Sequence, residues 1–122
     1  MLYSILCYDS EDSVCALSQA EDDALMAKLM DVTRHLEDQG RLGPRLRLMP
    51  TTAATTLKAN GEVIDGPYAE TKEALLGFYI LDCESLEEAV EITRKLARQK
   101  SWDAGSYEIR PVRWIDAGTL PG

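Results

Sequence analysis

The chain has 122 residues, 45% hydrophobic and 28% charged, which suits one globular domain and excludes a disordered or fibrous polymer. With 13 Lys and Arg against 21 Asp and Glu, the formal charge of -8 argues against a nucleic-acid binder or an anionic membrane surface as partner. No apolar run reaches the roughly 18–20 residues of a membrane span, and the start MLYSILCYDSED has no basic segment, so the chain reads as cytoplasmic and without a signal peptide.

Residues 2–8 are aromatic and aliphatic and predict a buried strand. Residues 9–17 read as a polar loop. Ser18 with Glu21 predicts a capping box, in which the hydroxyl accepts from the third helical amide and the carboxylate reaches back. Leu25, Leu29, Val32 and Leu36 then form one apolar helical stripe, widened by Met26 and Met30, and Gly40 stops the helix. After an expected turn at Gly43-Pro44, residues 45–48 alternate as a half-buried strand does, and Pro50 interrupts them. Residues 53–58 and 62–64 flank Asn60-Gly61, a hairpin signal because both residue types tolerate positive φ.

Residues 75–81 are the most hydrophobic run and predict a central strand. Ser85 with Glu88 predicts a second capping box, and Leu86, Val90, Thr93 and Leu96 follow at helical spacing. Arg94, Lys95, Arg98 and Lys100 suit the negative end of that helix dipole. Residues 106–114 read as a last strand, with Pro111 placing it at a sheet edge. Residues 116–122 are expected to be a mobile tail, leaving one domain over 1–115.

The order is strand–helix–strand, an inserted hairpin, then strand–helix–strand. Two such units predict an α+β ferredoxin-like βαβ-βαβ sandwich. Two helices cover only one face of a sheet. The other, carrying Tyr3, Tyr79 or Tyr107 in one of its two phases, needs a cover, and a second copy packed sheet to sheet is the simplest one. Cys7 and Cys83 read as small buried hydrophobes, and Cys15 as an exposed thiol. His35 is the one histidine and falls on a helix, which excludes a multi-histidine metal site; a carboxylate-rich site stays open, but no Asp/Glu run has ligand spacing, and no metal or cofactor is expected.

The sharpest local feature is Asp65-Gly66-Pro67-Tyr68-Ala69-Glu70-Thr71-Lys72-Glu73, a stiff, charged loop leading into the most hydrophobic strand. Asp65 or Glu70 can act as acid or base, and Lys72 can hold an anion. Here the chain resembles the YCII-related (DGPF-domain) family. DGPYAETKEALLGFYILD is similar to its DGPF signature, with Tyr68 in place of the phenylalanine. MLYSILCYDSE resembles its first strand, residues 18–40 its first long helix, residues 48–57 its second-strand region, and Gly105 to Val112 its closing G-S-x-E-V-R-P-V.

The resemblance implies a dimeric α/β barrel of ferredoxin-like halves and no established reaction. Some relatives are encoded near, or fused to, extracytoplasmic-function sigma factors, and a His/Asp pair has been proposed to act in the wider group. This sequence has Asp65 but no histidine in its early strands, and carries Arg45 and Arg47 where small residues are more usual.

Two readings follow. In one, a homodimer binds a small anionic or polar metabolite in a cleft near the DGPY loop, with Asp65 as acid or base and Arg47, Tyr68, Glu70, Lys72, Glu108 and Arg110 as ligand contacts. In the other, the chain is a non-catalytic regulatory or partner-binding module, and Arg110 pairs structurally with Glu70 or Asp65.

Overall fold

Strand β1 (Leu2–Asp9) forms where the sequence is apolar and aromatic, in a computed structural model that describes residues 1–121. It is followed by α1 (Glu11–Cys15), α2 (Gln19–Asp38), β2 (Leu42–Arg47), a 3-10 turn at Thr51–Ala53, β3 (Thr55–Leu57), β4 (Val63–Asp65), β5 (Ala74–Asp82), α3 (Leu86–Ala97) and β6 (Ser106–Pro111). β1, β2, β5 and β6 form one antiparallel sheet in the order β2-β5-β1-β6, and β3 pairs with β4 in a separate hairpin. This mixed α+β arrangement is compatible with a ferredoxin-like fold. Among the described residues no helix is long and apolar enough to cross a membrane.

The helix ends follow from their capping residues. Ser18 accepts from the Glu21 amide at 3.1 Å while the Glu21 carboxylate accepts from the Ser18 amide at 2.9 Å, completing the expected box. At the other end of α2, Gly40 takes φ 69°, Arg41 N–H donates to the Leu36 carbonyl and Gly40 N–H to that of Glu37, a Schellman closure. The second box is only half made. Ser85 accepts from the Glu88 amide, but the Glu88 carboxylate accepts from the Glu84 amide and pairs with Arg41 instead.

Other expectations are corrected. Residues 9–17 contain helix α1, because Ser10 caps it by accepting from the Ser13 amide. Gly43-Pro44 is an irregularity inside β2, not a turn before it; β2 is an edge strand, where a proline takes no hydrogen bond from a neighbour. The last strand stops at Pro111. In the hairpin only Gly61 has positive φ, 94°: its amide donates to the Lys58 carbonyl, and Asn60 stabilises the turn by accepting from the Glu62 amide. Gly122, the end of the expected tail, lies outside the described residues.

The core lies between the sheet and the two long helices. Tyr3, Ile5, Leu81 and Cys83 pack against Leu36 of α2 and Ala89, Ile92 and Leu96 of α3. Tyr79 and Tyr107 pack against this cluster, so all three tyrosines belong to the helix-covered face. The pairing Ile5↔Tyr79 and Ile5↔Ile109 sets that phase. The opposite face carries Leu6, Phe78 and Glu108, which stand opposite one another in the next register position.

Candidate functional site

A cavity of about 760 Å³ opens between α2 and the sheet, within the range of roughly 300–1,000 Å³ typical of small-molecule sites. The apolar stripe of α2 supplies one wall through Leu25, Met26 and Leu29. β2 and β5 supply the other through Arg45, Arg47 and Tyr79. β2 lies tight against β5 because residue 77 is glycine; a Cβ there would meet the Leu46 carbonyl oxygen at 2.2 Å.

Part of its lining is a polar cluster around a buried carboxylate, Asp9. Asp9 terminates β1 on the helix-covered face and is 4% exposed. The Lys100 ammonium donates to Asp9 Oδ2 at 2.7 Å and to the Ala104 carbonyl at 2.8 Å. Trp102 Nε1–H donates to the same Oδ2 at 2.9 Å, and the Ser10 amide donates to Oδ1 at 2.7 Å. The Lys100 nitrogen also stands 5.6 Å from the Trp102 ring centre and 5.1 Å from that of Tyr107, so two aromatic faces share its charge. Gly105 makes room: at φ 100°, a Cβ would lie 2.6 Å from Lys100 Nζ and 3.0 Å from Asp9 Cγ.

Burial and the local charges act on Lys100 and on three neutral groups beside it. Burial pulls the Lys100 ammonium down, but the hydrogen bond to Asp9 and the neighbouring Tyr107 outweigh it, leaving Lys100 raised and protonated. Burial pushes the Cys7 thiol up to about 11 and the Tyr79 phenol up to about 12, and raises Tyr107 against the pull of Lys100. None of these three offers a base or nucleophile near neutral pH. The Asp9 carboxylate already accepts three hydrogen bonds. The polar groups of this cluster thus already have partners within the protein.

At the side of the cavity Arg47 donates to both oxygens of Asp22, at 3.0 and 2.9 Å. That hydrogen bonding lowers Asp22 below the usual carboxylate range and raises Arg47. Arg45 donates to the Thr33 hydroxyl at 3.2 Å and approaches Glu37 at 3.6 Å.

Of the residues selected from sequence, Arg47 borders the cavity. Asp65, Tyr68, Glu70 and Lys72 are exposed, Tyr68 at 87%, and do not border it. The cavity is thus not formed by the DGPY loop. That loop is held instead by backbone contacts, with Gly66 N–H donating to the Ala54 carbonyl and the Thr56 hydroxyl donating to the Gly66 carbonyl. Glu108 and Arg110 are exposed on β6. Among the described residues, Asp65, Glu70, Lys72, Glu108 and Arg110 make no ion pair, so the expected bridge from Arg110 to Glu70 or Asp65 is absent. Nor is there a group of three or more His, Cys, Asp or Glu side chains placed to hold a metal ion.

Sequence reasoning passed over Asp9, Lys100, Trp102 and Tyr107. The available signal was slight: a carboxylate closing an apolar strand in its inward phase, and one of the two tryptophans just beyond a helix end.

A family model described as YCII-related domain matches residues 1–116. An uncharacterised protein of Rhizobium meliloti (strain 1021) is 49% identical over 124 residues, covering 99% of each chain.

Proposed function

Because the chain belongs to the YCII-related domain family, whose match spans the strands and helices that enclose the cleft, we infer that this cleft binds a small, largely apolar molecule. The supporting observation is the cavity itself: about 760 Å³, walled by the α2 stripe and by Tyr79, and lined in part by a polar cluster that has its partners. Burying the hydrocarbon part of a ligand there contributes roughly 25 cal/mol for each Å² removed from water. The reading is of a binding protein without acid–base chemistry. Asp65 lies outside the cavity, and the Asp9 carboxylate is occupied by Ser10, Lys100 and Trp102.

The protein acts as a homodimer in this reading. Among the described residues no long helix packs on the sheet face that carries Leu6 and Phe78, since both long helices share the Tyr3–Ile5 side, and a second copy supplies the cover. A ligand-loaded dimer that reports to a protein partner is the form the regulatory alternative takes here; the occupied Asp9 carboxylate favours it over an enzyme.

Nile red, a neutral dye that brightens in apolar surroundings, tests the cleft. The native chain binds it saturably, and Met26→Trp, which fills the cleft from α2, abolishes binding without lowering the melting temperature. Equal dye binding by both proteins, or none by the native chain, overturns the reading. Sedimentation of the native chain as a monomer at all concentrations removes the dimer.

A further inference from the structure

Two guanidinium groups reach from one wall of the cleft to the other. Arg45 and Arg47 stand two positions apart on β2, so strand alternation turns both toward the helices. Arg47 grips Asp22 with two parallel hydrogen bonds, and Arg45 reaches Thr33 and Glu37. All three partners belong to α2, and both arginines border the cavity. The bridges therefore tie the strand wall to the helix wall.

A molecule in the cavity that engages the Arg47 guanidinium in the two-pronged way has to part the Arg47–Asp22 bridge. A neutral molecule leaves both charges without a partner. A carboxylate takes the place of Asp22 in the same two-pronged geometry, so the number of ion pairs is unchanged. The displaced Asp22 keeps its own support. Its side chain is 23% exposed, and it lies in the first turn of α2, where water and the peptide dipoles stabilise a negative charge. Leu25, Met26 and Leu29 then receive the hydrocarbon part.

Resting on the ligand-binding reading above, we propose that the cleft takes an amphipathic monocarboxylate whose carboxylate displaces Asp22 from Arg47. Asp22 is then a built-in competitor that sets the affinity for the ligand. Arg47 supplies the preference for charge, and the α2 stripe supplies the grip on the chain.

Decanoate and decanol share a tail and differ in charge, which makes them the probes. Both are titrated at neutral pH into the native chain, Arg47→Gln and Asp22→Asn, followed by Trp102 emission and by calorimetry. In the native chain decanoate binds about tenfold more tightly than decanol, the difference expected of one charge-assisted two-pronged contact. Arg47→Gln removes the preference and keeps decanol binding, while Asp22→Asn tightens decanoate alone. Equal affinities in the native chain, or a preference that survives Arg47→Gln, overturn the proposal and leave the cleft reading standing. Failure of both probes to bind overturns the two together. If Arg47→Gln also loses decanol, Asp22→Asn decides, and unchanged decanoate affinity there overturns the proposal.

Discussion

The Asp9 cluster that lines the cleft and the DGPY loop are opposites in how their charges are used. Around the buried Asp9 a carboxylate, an ammonium, an indole and two backbone groups are mutually bonded. Around Asp65 the charged side chains of Glu70 and Lys72 are exposed and unpaired, and the loop's shape comes from Gly66 and its backbone bonds to the hairpin. The loop is the more distinctive string of letters, yet the plainer residues build the polar cluster. A motif that is conspicuous in sequence can serve the backbone, while chemistry gathers where distant residues meet.

The comparison breaks first at Asp9. Asp9→Ala strands a buried ammonium and is expected to cost about 3–5 kcal/mol in denaturant unfolding; a loss no larger than that of an exposed substitution makes the two regions equivalent. Gly105→Ala is next. It forces a side chain into left-handed backbone against Lys100, and a destabilisation of about 1–3 kcal/mol by the same measurement fits. Asp22 sharpens the contrast through pH. Its folded value is lowered by Arg47, so the stability it contributes is present above its ordinary value of 3.8 and is lost as pH falls through the lowered one. Urea midpoints of native chain and Asp22→Asn should differ at neutral pH and converge in strong acid. The smallest effect belongs to the loop: Asp65→Asn with Lys72→Met should change stability by no more than about 0.5 kcal/mol.

Much of the fold was legible because it is written locally. Short apolar, aromatic runs marked β1 and β5, the 3.6-residue stripe and Ser18 marked α2, and Asn60-Gly61 marked the hairpin. Helix α1 was not, since five residues hold too few apolar positions to show a period, and its cap at Ser10 looks like any loop serine. The phase of the tyrosines was open because a period of two does not say which face is covered. The site was mostly illegible. Asp9 meets Lys100 across 91 positions and Trp102 across 93, a proximity that no local spacing encodes. Arg47 was readable, as one of two arginines that alternate with leucines around β2.

The sheet order has a consequence for how the chain is made. Both neighbours of β1, namely β5 and β6, come from the second half of the sequence. On the ribosome the first strand therefore emerges with neither edge satisfied, and it waits through most of translation for its partners. Long-range pairing of this kind slows folding and leaves a sticky strand on view in the interim. Synthesis paused just before β5 should yield a nascent chain that chaperones retain, and release should follow once β6 has cleared the exit tunnel.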